Sequence, residues 1–227
     1  MSDEPASPPP DRPLRVGFVA GVTPDKWARR WAERMPPGEL DLAPVDDGDQ
    51  LAVLYDDRAD MCFVRLPVDD ETMHVIPLYS EVPVVVVPKD HFVEAAEDVT
   101  LADLTGEIVH EVPPLTAEEA VETVAAGVGV VVLPMSVARL HNRKDVVHRP
   151  VTDAAPSRIG LAWRKDLEDP RVETFVGVVR GRTAHSSRGA TEPAAKETKQ
   201  KSTATRRQPK PRPAAKGRPS PRGRRRR

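Results

Sequence analysis

Leu14-Arg-Val-Gly-Phe-Val-Ala-Gly-Val-Thr-Pro-Asp25 is the stretch on which the fold turns. Leu14 to Ala20 mixes β-branched and aromatic residues and stops at Gly21, the pattern of a buried strand. Thr23-Pro24-Asp25 then reads as an N-cap, a proline at the first helical position and an acid in the first turn. Trp27, Trp31 and Met35 follow at i, i+4 and i+8, which gives the helix one apolar face. Pro36-Pro37-Gly38 ends it. A strand over Leu40–Val45, a helix carrying Leu51, Leu54 and Tyr55, and a strand over Asp60–Leu66 complete a βαβαβ order. That order implies a parallel sheet covered by helices.

The pattern continues downstream. His74–Tyr79 and Val82–Val87 are predicted strands, followed by a short helix near Leu101–Leu104 and a strand over Glu107–Val112. Thr116 with Glu119 three residues later is a capping box ahead of the apolar positions Val121, Val124 and Ala125. Gly127 closes that helix. Val128–Leu133, Val146–Val151 and Arg158–Trp163 are further strands, and Val172, Phe175, Val176 and Val179 mark a last amphipathic helix.

Charge divides the chain of 227 residues in two. After Ser187 there are fifteen Lys and Arg against Glu192 and Glu197, a net of +13, and residues 1–187 carry 19 cations against 33 anions, a net of −14. The segment 184–227 has no aromatic residue and no Val, Ile, Leu or Met, so a disordered basic tail is predicted there, with a disordered Pro-rich start at 1–13. Roughly 170 residues between them suffice for one core or two small lobes. The single Cys62 excludes a disulfide framework and reads as a buried, inert thiol. No signal peptide and no apolar stretch of membrane-spanning length is visible. The expected location is the cytoplasm, with nucleoid association through the tail.

The order of these motifs resembles the effector-binding (substrate-binding) domain of LysR-type transcriptional regulators. The resemblance is carried by Leu14–Val19, Arg58–Val64, Val75–Val86, the Pro88-Lys-Asp-His91 segment, Val99–Leu104, Glu119–Pro134 and Gly160–Trp163, and covers Leu14 to Arg182. It implies an α/β, periplasmic-binding-protein-like type II fold of two lobes holding a small effector, often a carboxylate. Transferred here, lobe one is 14–82 with 151–183, lobe two is 88–145, and Val82–Val87 and Val146–Pro150 are the crossing strands. Two departures stand out. Only thirteen residues precede Leu14 where the family carries a winged helix-turn-helix, so that module is expected to be absent. The second lobe is shortened between Val112 and Thr116.

Candidate ligand residues follow from position. Thr23 opens a helix whose free N–H groups attract an anion, and in the resembled family this turn contacts the effector; capping alone is the alternative. Thr116 is read the same way. Arg65, with Pro67 just beyond it, stands at the carboxyl end of a parallel strand, where open α/β sheets place ligands; the alternative is a surface pair with Asp69 or Asp70. Ser136, after Pro134-Met135, is either a hydroxyl contact at a family cleft position or a helix cap. Histidines are scattered without ligand spacing, and no acid/base grouping converges, so neither metal, cofactor nor catalysis is expected.

In the tail, Lys216-Gly217-Arg218-Pro219 resembles the core of an AT-hook, and Arg222-Gly223-Arg224 is a partial copy leading into Arg225, Arg226 and Arg227. Cations without aromatics suit phosphate neutralisation more than base readout. Alternatively the tail solubilises, or lies back on the acidic domain. The expected function is a non-enzymatic, regulator-like sensor of a small ligand, with DNA or RNA contacted through the tail and a homodimer as a further partner. A stand-alone small-molecule-binding protein with a solubilising tail is the alternative.

Overall fold

In the computed structural model of the chain, residues 12–36 and 38–181 are described. The expectations for residues 1–11 and 184–227, including the disordered tail and the Lys216–Arg227 nucleic-acid residues, lie outside the described residues.

Among the described residues nine strands form two sheets. The first holds β1 (Leu14–Phe18), β2 (Leu40–Pro44), β3 (Met61–Leu66), β4 (Met73–Glu81) and β9 (Ser157–Arg164), in the order β2-β1-β3-β9-β4. β1 runs parallel to β2 and β3, whereas β9 is antiparallel to β3 and β4. The second holds β5 (Pro83–Pro88), β6 (Val109–His110), β7 (Val130–Pro134) and β8 (Val146–Pro150), in the order β6-β7-β5-β8. The chain passes between sheets at Val82 and again over residues 151–156. The segments expected to cross between lobes, 82–87 and 146–150, pair with each other inside the second sheet as β5 and β8.

Both sheets are covered on both faces, and strand alternation shows it. In β3, Met61 and Phe63 enter one core with Trp27 and Trp31 of α1 (Asp25–Ala32) and Phe175 of α5 (Pro170–Val179). Cys62 and Val64 enter the opposite one with Val53 and Leu54 of α2 (Ala52–Tyr55). Trp27 stacks on Phe63 at 4.6 Å between centroids, and Phe175 meets Trp31 and Phe63 edge-on. In β5, Val84 and Val86 face α3 (Ala117–Ala125) and α4 (Met135–Leu140), and Val85 and Val87 face Val93, Val99 and Leu104. A strand buried on both sides needs no polar positions, which accounts for the run of four valines.

The weak stretch between β5 and α3 folds as two 3-10 turns, Phe92–Ala95 and Leu101–Leu104. The strand expected over Glu107–Val112 is only Val109–His110. A single turn segment, residues 111–116, separates it from α3.

Two buried ion clusters pin the first lobe. Asp60 accepts from Arg12 at 2.6 and 2.7 Å and from the backbone and side chain of Arg15 at 2.9 and 3.1 Å. Burial alone would push this carboxyl up; the two guanidinium partners outweigh it and bring it down to about 2. Arg171, almost fully buried on α5, pairs with the equally buried Asp169 at 2.7 Å. It also donates to the Arg12 carbonyl.

Candidate functional site

The two lobes meet at the turn after β1. Gly21 there has a φ of +83°, and a Cβ built on it would sit 2.2 Å from Ser136 Oγ on α4 of the second lobe. Only glycine permits both the backbone and the approach. Gly21, Thr23 and Ser136 line both of two cavities at this point. The larger, about 710 Å³, lies between residues Phe18–Thr23, the end of β2, Asp46, Asp49 and Arg58 on one side and Ser136, Arg139 and Leu140 on the other. The smaller, about 380 Å³, is bounded by Thr23, the start of α1, Tyr79, Glu81 and Ser136.

Thr23 does not cap α1, contrary to expectation. Pro24 occupies the cap position in a helical conformation, φ −78° and ψ −6°, and no side chain closes that end. The Pro24 carbonyl takes the first intrahelical bonds, from the Trp27 and Ala28 N–H groups at 2.9 and 3.0 Å, so the cap position falls on a residue with no side-chain acceptor. Thr23 is left exposed, on the rim of both cavities. Thr116 does cap: its hydroxyl accepts from the Glu119 N–H, and Glu119 accepts from the Thr116 N–H at 2.8 Å. It lines neither cavity, and neither does Pro67.

Arg65 sits near the carboxyl end of β3 with its guanidinium directed between the lobes. It does not pair with Asp69 or Asp70; Asp70 serves Tyr55 and Thr72 instead. Nε donates to Asp47 at 2.9 Å, Nη1 to Glu81 and Ser157 at 2.7 Å each, and Nη2 to the Ala20 carbonyl at 2.8 Å. Gln50 holds the Arg65 backbone on both sides, at 2.7 and 3.2 Å. Burial by itself would lower the guanidinium's pKa, and the Glu81 and Asp47 carboxylates more than offset that, so it stays above its ordinary value. Glu81, only 8% exposed, takes a second hydrogen bond from the Ser136 hydroxyl.

Thr23, Arg65 and Ser136 are thus gathered around one turn, and Thr116 and Pro67 stand apart from it. Glu81, Asp47, Ser157 and Gly21 complete the arrangement and were not singled out by sequence. Asp47 belonged to an acidic run that looks like a solvated helix start, and Glu81 is a lone acid between two apolar strands. Neither carries a spacing signal. Burial pushes the Cys62 thiol up to about 12, so it is not a nucleophile at neutral pH. Among the described residues no group of three or more His, Cys, Asp or Glu could hold a metal ion, and no helix is long and apolar enough to cross a membrane.

Two α/β lobes linked by two chain crossings, with a polar constellation and open space between them, make a two-lobed fold of the periplasmic-binding-protein type. The family model of the LysR substrate binding domain matches residues 8–114 and 116–184, and the chain belongs to that family. It is 31% identical over 169 residues to the transcriptional regulator CatR of Pseudomonas putida, covering 62% of this chain and 58% of that one. It is 23% identical over 196 residues to the regulator AlsR of Bacillus subtilis, covering 73% and 65%. The chain spans between 58% and 69% of the length of the curated relatives it matches. Among solved structures, the BenM effector-binding domain with its effector benzoate superposes with a TM-score of 0.60 at 19% identity, covering 75% of this chain and 91% of that one. An OxyR regulatory-domain mutant from Pseudomonas aeruginosa gives 0.59 at 24%, covering 74% and 96%. These likenesses bear on the fold.

Proposed function

We propose that this chain is a non-enzymatic, regulator-like sensor that takes a small anionic ligand between its lobes and contacts nucleic acid non-specifically through residues 188–227. The supporting observation is the cavity of about 710 Å³ at the Gly21 turn, bounded by both lobes, so that a ligand there touches the two halves together. Its cations are Arg58, whose carboxylate partners Asp49 and Asp56 stand at 3.8 and 3.6 Å, and Arg139, which has no carboxylate partner among the described residues. The Thr23 hydroxyl on the rim adds a polar contact. Arg65 is not the ligand's cation in this arrangement, since four of its five N–H donors are already used.

BenM, solved with its effector benzoate, directs the first choice of ligands toward small carboxylates. Thermal unfolding of the full chain against such a panel is expected to show a saturable rise in Tm for at least one anion, since a ligand that binds only the folded state raises it. Arg139→Ala is expected to abolish that rise. A panel without any shift, or a shift unchanged in Arg139→Ala, overturns the reading of this cavity. A protein that binds its ligand but retains no nucleic acid at physiological salt is a stand-alone small-molecule binder, with residues 188–227 serving solubility.

A further inference from the structure

We propose that Arg65 and Ser136 form a carboxylate-binding site that the chain fills with its own Glu81. The three side chains come from β3, α4 and the end of β4, and they are brought together only where the lobes meet. Glu81 Oε2 accepts from Arg65 Nη1 at 2.7 Å, and Oε1 accepts from the Ser136 hydroxyl. One carboxylate oxygen is therefore held by the first lobe and the other by the second. Such a donor pair, a guanidinium and a hydroxyl aimed at the same carboxylate, is the chemistry that recognises a free monocarboxylate.

Several observations separate an occupied site from an incidental ion pair. Glu81 is among the few buried charged residues of the described part of the chain, at 8% exposure, so its desolvation has to be met by well-placed partners. The Arg65 guanidinium is oriented independently of Glu81 by Asp47, Ser157 and the Ala20 carbonyl, so removal of Glu81 leaves it in position. Glu81 also lines the smaller cavity of about 380 Å³. Shortening its side chain therefore leaves the carboxylate position reachable by a small molecule from that side. The consequence in the intact protein is that a tethered carboxylate joins the two lobes with no effector present. The larger cavity, which Glu81 does not line, remains for the ligand. The inference stands on these contacts alone, so failure of the ligand panel and failure of the test below are separate results.

The test is chemical rescue in the full chain. Glu81→Ala is expected to lower Tm, and acetate or propionate to restore a saturable part of the loss at constant ionic strength. Acetamide and chloride are expected to restore none, because one lacks the charge and the other the two-oxygen geometry. The unaltered protein is expected to be insensitive to acetate over the same range, and Arg65→Met with Glu81→Ala to be beyond rescue. If acetate raises the Tm of Glu81→Ala no more than that of the unaltered protein, or no more than chloride does, the proposal is overturned. Should Glu81→Ala fail to fold, a double-mutant cycle of Glu81→Gln and Ser136→Ala supplies the second reading. A coupling of at least tenfold in the folding constant, about 1.4 kcal/mol, is expected across the lobes, and a coupling below about twofold overturns the site.

Discussion

Gly21 sets how closely the lobes approach. Any side chain there must hold a φ of +83° and also displace Ser136, whose Oγ would lie 2.2 Å from the new Cβ. Gly21→Ala is expected to destabilise the fold by about 1–3 kcal/mol from backbone conformation alone, with the clash in addition, as read by denaturant unfolding. Gly38→Ala, with a φ of +84° and open space, carries the first cost without the second, so the difference between the two isolates the interlobe contact. Asp60 gives a pH signature. Its folded carboxyl titrates at about 2 against an ordinary value of 3.8, so the folded state holds it ionised where the unfolded chain protonates it. Its stabilisation is complete above about pH 4 and is lost as pH falls from about 4 toward 2. Asp60→Asn is expected to lower stability at neutral pH and to flatten the dependence of stability on pH between 4 and 2. An unchanged acid limb in that variant counts against the assignment. The residues of the site were half legible. Arg65 was marked by its place at the carboxyl end of a strand and Ser136 by its place just after one, but their partner Glu81 is 16 residues from one and 55 from the other. No local spacing encodes such a meeting.

At the scale of elements, legibility followed burial. The strands Met61–Leu66, Pro83–Pro88 and Val130–Pro134 read clearly because both faces are packed and the sequence there, Arg65 aside, is apolar throughout. The region 91–113 read poorly because its turns are held by caps, not by an apolar period: His91 accepts from Val93 N–H, and Thr100 and Asp103 form a reciprocal box. The six-residue α4 starts directly after Pro134 and is too short to show a period, yet it carries Ser136 to the lobe boundary. Helix caps differ in weight, and two variants measure it. Thr116→Ala removes only the exposed capping box of α3 and is expected to cost about 1 kcal/mol. Asp169→Ala removes the cap of α5 and also strands Arg171, which is 3% exposed and takes its carboxylate partner from Asp169. That loss is expected to reach about 3–5 kcal/mol, since an unpaired buried charge costs more than a missing cap. Glu39 at 3.6 Å is a weak substitute partner, so a cost for Asp169→Ala no larger than that for Thr116→Ala overturns the ranking.

For the whole molecule, the opposed charges of −14 in residues 1–187 and +13 in residues 188–227 are the property that any partner meets first. A near-neutral total would suggest little electrostatic binding, but segregated charge acts locally, because at physiological salt fields are screened within about 8 Å. An anionic duplex therefore responds to the basic segment and not to the net charge. The proposed nucleic-acid contact then has a quantitative form. Each phosphate neutralised on duplex DNA contributes about −0.9 to the slope of log K against log salt. The seven cations from Lys216 to Arg227 alone give a slope of about −6, and all fifteen give about −13. Titration of the full chain onto a short duplex at several salt concentrations is expected to fall in that range. Scrambled duplexes of equal length are expected to bind within about threefold of one another, because phosphate contacts carry no sequence information. Removing residues 188–227 is expected to abolish the slope and the binding together, since the remaining chain is strongly acidic and repels the duplex. Retained affinity after removal would place any nucleic-acid surface on the two-lobed domain instead, against its charge. A shallow slope in the full chain would mean that the basic segment serves something other than DNA.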